Sequence, residues 1–391
     1  MFVFSGCNNN LKNAEIGEPI QKNQTFTISA YRMDDYVPLI RNKAVACVVN
    51  QTSLVGQTHL VDTLLDLDIN ITRIFAPEHG FRGKADAGEH ISSEIDLKSG
   101  LPIMSIYGKD KKPSKKQLEG IDVVLFDIQD VGARFYTYIS TLHYVMEACA
   151  EQNIPLIVLD RPNPNARYID GPILEPAYRS FIGMHPVPVV YGMTIGEYAL
   201  MINGESWLAS GVKCDLRVIP MKDYTHDIEY KLPVSPSPNL PNHTSILLYP
   251  SLCFFEGTTL SVGRGTNKQF QVIGHPKVVS DFSFTPMPNE GAKDPFLNGK
   301  KCFGEDLSKV STEHLFKMDR LNLSYLIKYF KLLKDDKDGF FLSNLFFDKL
   351  AGSDKLRKQI LAGESETEIH DSWESDLEQF KKIRVKYLLY P

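Results

Sequence analysis

From about Tyr36 to Pro220, short apolar runs alternate with stretches whose apolar residues recur at helical spacing. The runs Ala44–Val49, Ile71–Phe75, Ile121–Ile128 and Ile154–Leu159 read as strands. Little polar residue interrupts them, as in parallel strands covered on both faces. Between them, Thr58–Leu67, Thr141–Glu151 and Thr194–Leu208 read as helices. The last opens with Thr194 as N-cap and Glu197 three residues on, a capping box. This alternation predicts an α/β domain with a doubly wound sheet.

Beyond Pro220 the texture changes. Leu232–Pro241 (LPVSPSPNLP) is proline-rich and extended, a boundary or cleft-lining segment. Ile246–Tyr249 and Gln271–Ile273 read as strands around a glycine-rich turn, and Asn322–Leu333 as a helix. Ile369–Leu389 reads as one amphipathic helix carrying Trp373, Leu377 and Phe380. The chain therefore divides into a polar leader at 1–25, a larger α/β domain at 26–230 and a smaller α+β domain at 231–391.

Composition narrows the class. With 43% apolar and 23% charged residues, the 391-residue chain is an ordinary globular protein with room for two domains. A formal charge of −5 without a basic block argues against a nucleic-acid partner. Cys7, Cys47, Cys149, Cys214, Cys253 and Cys302 are scattered, without metal-ligand spacing, and most sit in apolar stretches as small buried thiols. Phe4-Ser5-Gly6-Cys7 is different. It resembles the end of a bacterial lipoprotein signal, with Cys7 acylated and the polar stretch to about Thr25 as a tether. The start of such a signal, a basic region and a longer apolar core, is missing from this sequence. The expectation is a periplasmic or envelope protein anchored to a membrane by an N-terminal lipid, with no protein partner implied.

Candidate chemistry gathers where predicted strands end, the place open α/β sheets bind ligands. Glu78, His79 and Arg82 follow the strand ending at Phe75. Asp127, Gln129 and Asp130 close the next, leading into Arg134, Tyr136 and Tyr138. Asp160, Arg161 and Asn163 close another, with prolines stiffening the loop. In the second half stand Asn239, Glu256 and Arg264, the last between two glycines. Phosphate-binding glycine motifs, H-E-x-x-H and G-x-S-x-G are all missing. Carboxylates, aromatic faces and arginines together suit a sugar with an acidic substituent. Two other classes stay open: a carbohydrate-binding lipoprotein, and a metal-dependent hydrolase using Asp127, Asp130 and Glu78.

The ordered series APEHGFRG, Ala87-Gly88-Glu89, Ser105-Ile106-Tyr107-Gly108, FDIQDVGARFYTY, LDRPNP, Gly192–Glu197, SPN, EGTTLSVGRGT and Lys386–Tyr390 resembles the exo-β-N-acetylmuramidases of the NamZ type. The resemblance runs from about Val37 to Tyr390. It implies a Rossmann-like N-terminal domain and a smaller C-terminal domain forming a cleft. It also implies release of N-acetylmuramic acid from the non-reducing end of peptidoglycan fragments, without nucleotide or metal. Glu78 would be the general acid. The second catalytic group is expected at Asp127 or Asp130, with Glu89 and Glu256 behind them. Retention, inversion and substrate assistance all stay open. The lactyl carboxylate is expected at Arg134 or Arg264, with Arg82 in reserve. Two departures from the family's pattern, Tyr191 before Gly192 and Asn267–Phe270 after Thr266, bear on subsite shape.

Overall fold

The computed structural model describes residues 26–78, 80–81, 94–336 and 339–391. Its centre is a seven-stranded sheet. The strands are β1 (Val45–Val49), β2 (Ile71–Ala76), β3 (Glu94–Ile95), β4 (Pro102–Ser105), β5 (Val123–Asp127), β6 (Leu156–Leu159) and β7 (Leu216–Ile219), in the order β3-β4-β2-β1-β5-β6-β7. Only the short edge strand β3 runs antiparallel. The chain builds outward from β1 to β2 and β4, then crosses back to β5. The C-terminal ends of β1 and β5 therefore flank the point where the winding reverses, where such sheets open a crevice.

The unbroken apolar runs have a direct physical cause. Every residue of β1, β5 and β6 is buried. Alternate side chains enter two separate cores: Ala46, Val48, Val124 and Phe126 on one face, Val45, Cys47, Val123 and Leu125 on the other. The first core continues without a break into the C-terminal half through Phe254, Tyr329, Phe347 and Leu377. The second takes in Tyr36 and Ile40 from helix Met33–Ile40 and ends on Tyr390. The five cysteines among the described residues are free and buried.

The C-terminal half has a three-stranded antiparallel sheet, β8 (Val272–His275), β9 (Phe282–Phe284) and β10 (Cys302–Asp306), in the order β8-β10-β9. Gly274 faces Gly304 across β8 and β10, and a Cβ on Gly304 would lie 1.9 Å from the Ile273 carbonyl oxygen. Helices from Ser324–Leu333 to Glu374–Arg384 then pack back against the first domain.

Several expectations need correction. Ile246–Tyr249 lies inside helix His243–Leu252, not a strand. Asn242 and Ser245 form a capping box that starts this helix, and its residues from Ser245 onward are buried. Burial all round leaves no periodicity to read. The single helix expected at Ile369–Leu389 is two, Glu366–Asp371 and Glu374–Arg384, broken at Ser372–Trp373. The Trp373 indole turns in to donate to Asp170 Oδ1 at 2.9 Å. Thr194 does cap its helix, which ends early at Gly204. Strands β4, β7, β9 and β10 had no matching prediction; they are short, and all four have exposed or half-exposed positions along their length.

Candidate active site

Glu78 stands two residues beyond the end of β2, after Pro77. A turn closes behind it, with Gly80 N–H donating to the Pro77 carbonyl at 3.0 Å and Gly80 at φ +77°. Two hydroxyls hold the carboxylate, one on each oxygen. Tyr107 Oη donates to Oε1 at 2.7 Å and Thr137 Oγ1 to Oε2 at 2.6 Å. Tyr107 follows β4, and Thr137 caps helix Tyr138–Gln152 in the connection from β5. Tyr138 Oη approaches the Glu78 carbonyl at 3.4 Å and accepts from Asn50 Nδ2 at 2.9 Å, just past β1. Two hydroxyls thus fix the carboxyl, and Asn50 and Tyr138 support the backbone behind it. A hydroxyl both donates and accepts, so the same contacts serve this group with or without its proton.

Glu78 lines a cavity whose opposite wall comes from the C-terminal half: Asn239, Tyr249, Glu256, Arg264 and Phe270, with Tyr136 and Thr137 on the near side. The proline-rich segment bridges the halves, for Tyr136 Oη donates to the Pro236 carbonyl at 2.9 Å and Gln51 Nε2 to the same oxygen at 3.0 Å. Asn239 Nδ2 donates to the Gly291 carbonyl at 2.7 Å.

Glu256 is the second carboxylate of this cavity. Its Oε1 accepts from an Arg264 terminal nitrogen at 3.0 Å, and the Cys253 thiol lies 3.6 Å from Oε2. Gly263 and Gly265, at φ +81° and +80°, flank Arg264 with backbone shapes that a side chain at their own positions would strain. Both partners of the Glu256–Arg264 pair are about one quarter exposed. The exposed part faces the cavity, which leaves Arg264 within reach of a ligand carboxylate.

Two family models cover nearly the whole of this arrangement. The N-terminal model of exo-β-N-acetylmuramidase NamZ matches residues 45–244, and the C-terminal model matches 247–390. The chain belongs to this family. The peptidoglycan β-N-acetylmuramidase NamZ of Bacillus subtilis strain 168 is 40% identical over 411 residues, spanning 96% of this chain and 95% of the relative. Two crystal structures of DUF1343 family proteins from Bacteroides fragilis NCTC 9343 are similar throughout. One has 47% identity and a TM-score of 0.87, the other 28% and 0.79. Each comparison covers 94% of this chain and 99% of the solved one. The α/β domain with a smaller C-terminal partner is thus that of the exo-β-N-acetylmuramidases.

Within this family member, the described residues among those singled out from sequence separate into two groups. Glu78, Tyr136, Asn239, Glu256 and Arg264 meet at the cavity, with Tyr138 directly behind Glu78. The others serve the scaffold. Asp127 is wholly buried and bound by Arg161, Nε to Oδ1 at 2.5 Å and a terminal nitrogen to Oδ2 at 2.8 Å. That pair consumes both oxygens, so Asp127 is not the second cavity carboxylate and Arg161 meets no ligand there. Asp130, also buried, accepts from the Gly132 N–H at 2.8 Å and from the Tyr191 hydroxyl. Burial pushes its pKa up to about 6 against those hydrogen bonds. The unusual Tyr191 is thus a partner for Asp130 rather than a cavity wall, whereas Phe270, at φ +53°, does line the cavity.

Gln129 Nε2 donates to the carbonyls of Asp130 and Pro162, and Asn163 Nδ2 to that of Met193. Asp160 accepts from Gly196 N–H, Thr194 Oγ1 and Tyr390 Oη at 2.6–2.8 Å. Burial, and then the nearby Glu197, raises the Asp160 pKa to about 7.

Arg134 is the clearest revision. Instead of holding an anion, it is fully buried and donates to four carbonyls: Pro172 at 2.7 Å and Val187 at 2.6 Å in one half, Leu350 at 3.0 Å and Ala351 at 2.7 Å in the other. Leu350 and Ala351 end helix Phe346–Ala351, whose unpaired carbonyls favour a cation. Burial lowers the guanidinium pKa to about 9. His79, Arg82, Glu89 and Cys7 lie outside the described residues. Thr137 and Tyr107, the two hydroxyls on Glu78, were not nominated from sequence, although Tyr107 follows closely on β4 and both lie within quoted motifs.

Proposed function

We propose that this protein is an exo-acting glycoside hydrolase that removes N-acetylmuramic acid from the non-reducing end of peptidoglycan fragments, with Glu78 as general acid. The observation that carries this reading is the Glu78 carboxyl, held at both oxygens in a cavity shared with Glu256 and Arg264. Glu78 delivers its proton to the glycosidic oxygen as the bond to the anomeric carbon breaks. Glu256 offsets the positive charge growing on the sugar ring or takes a proton from the attacking water. Arg264 binds the lactyl carboxylate through its terminal nitrogens, a contact that separates muramic acid from its unsubstituted counterpart. Tyr136 and Tyr249 supply apolar faces for the ring.

The test is release of N-acetylmuramic acid from a MurNAc–GlcNAc disaccharide by wild type beside E78Q. Release by wild type with at least about a hundredfold loss in folded E78Q supports the assignment. Equal release by both moves the acid to another residue. Binding without release by wild type replaces the hydrolase with a carbohydrate-binding protein.

We also propose a lipid on Cys7 that tethers the chain to a membrane of the bacterial envelope, where peptidoglycan lies. The Phe4-Ser5-Gly6-Cys7 sequence and the polar tract after it support this. Radiolabelled palmitate incorporated in the protein expressed behind a complete lipoprotein signal, but not in its C7A variant, supports it; equal labelling, or none, overturns it.

A further inference from the structure

A second basin adjoins the Glu78 cavity, and the two share Glu256 and Arg264 as a common wall. It holds about 300 Å³ and is lined by Leu260, Val262, Asp294, Phe296 and Phe346. That volume is at the lower end for small-molecule sites. Phe296 is 49% exposed, an aromatic ring left open to solvent on a concave wall. Its position is held relative to Arg264. Pro295, its neighbour, packs on Gly265 so tightly that a Cβ there would lie 2.6 Å from the proline ring. The Asn298 N–H closes a turn on the Pro295 carbonyl at 3.0 Å, and Gly299 N–H reaches the Pro286 carbonyl at 2.8 Å.

We propose that this basin receives the sugar on the reducing side of the bond being broken, a β-linked N-acetylglucosamine, with Phe296 as its stacking platform. The inference rests on the muramidase reading of the Glu78 cavity. If the terminal sugar occupies that cavity, the next one lies past its boundary, and the Glu256–Arg264 pair is a boundary with space on both sides. A pyranose with equatorial hydroxyls has an apolar C–H face, which suits an exposed ring, and a rim of O–H donors, which suits the acceptors Asp294 and Glu256. A stem peptide on the lactyl group is the competing occupant. It brings carboxylates of its own, which like charge at Asp294 disfavours.

The experiment compares F296A and D294N with wild type on two substrates: MurNAc–GlcNAc, and methyl β-N-acetylmuraminide, which has only a methyl group beyond the scissile bond. The expected result for F296A is a KM for the disaccharide raised about tenfold, with kcat/KM on the methyl glycoside within about twofold of wild type. The exposed position keeps the fold intact, which an unchanged melting temperature verifies. Equal loss on both substrates places Phe296 at the terminal sugar and overturns the proposal, as does no loss on either. Loss confined to a disaccharide whose lactyl group carries an alanyl peptide assigns the basin to peptide and overturns it too. If wild type releases nothing from either substrate, the Glu78 reading falls separately. Titration with chitobiose then decides the basin: binding weakened in F296A supports it, and equal binding or none overturns it.

Discussion

Removing the Arg134 guanidinium tests whether this arginine joins the two halves or holds substrate. R134M keeps a long apolar stem but leaves the carbonyls of Pro172, Val187, Leu350 and Ala351 without their donor. A buried polar group left unpaired costs about 1–3 kcal/mol, at the lower end for carbonyls that keep a second contact. Relief of the guanidinium's own desolvation offsets part of the sum. Four carbonyls at the lower end of that range, less this relief, leave roughly 3–5 kcal/mol. At roughly 2 °C per kcal/mol for larger chains, the melting temperature falls by about 6–10 °C. R134K, reaching fewer carbonyls, falls between. The assay is a thermal melt by intrinsic fluorescence, paired with N-acetylmuramic acid release at a temperature where both variants are folded. A melting temperature within about 2 °C of wild type, with a raised KM for substrate, would refute the structural role and return Arg134 to the ligand.

Other residues give sharper functional readouts. T137V and Y107F each remove one hydroxyl from the Glu78 carboxyl; each is expected to lower kcat by roughly 5–30-fold, about 1–2 kcal/mol, with little change in melting temperature. An effect on KM alone would show that these hydroxyls touch substrate instead of orienting the acid. R264A is expected to raise KM for N-acetylmuramic acid substrates by about 10–100-fold, with partial rescue in R264K; unchanged KM would remove Arg264 from lactyl recognition. Asp160 gives a pH signature. Its folded pKa of about 7 lies above the ordinary 3.8, so the folded state keeps the proton longer, and stability falls as pH rises through that interval. In D160N the new amide donates to the Thr194 and Tyr390 hydroxyls, which turn to accept. The stabilities measured in urea at pH 4 and 7 should then differ less than in wild type, by roughly 3 kcal/mol. An undiminished difference would place the titration elsewhere.

The strands that organise the site were legible because burial on both faces writes itself as an unbroken apolar run. That is how Val45–Val49, Val123–Asp127 and Leu156–Leu159 announced themselves. Glu78 was legible for the same reason, as a charge standing just where such a run stops. The hard distinction lay among polar residues at the other strand ends. Asp127 and Glu78 both follow buried strands, yet one is bound on both oxygens by an arginine from the next strand end and the other faces a cavity. Partner choice across 34 positions, as between Asp127 and Arg161, leaves no local pattern. Arg134 misled for a related reason: its partners are backbone carbonyls, which every residue carries. Glu256 and Arg264 were visible as a polar cluster. Their union with Glu78 depends on how the two halves close on each other.

Tyr390 has a consequence for synthesis on the ribosome. Its ring is buried in the core of the first domain, its hydroxyl donates to Asp160, and the Met221 N–H donates back to it at 2.8 Å. Domains generally fold in order as they emerge, but this one lacks a piece of its interior until residue 390 has been made. The cavity likewise lacks its far wall until Glu256 and Arg264 arrive. The interior of the first domain therefore stays incomplete until Tyr390 has been made. The acid at Glu78 gains its enclosure once the segment carrying Glu256, Arg264 and Phe270 has docked, whereas the first domain's second core closes only on Tyr390.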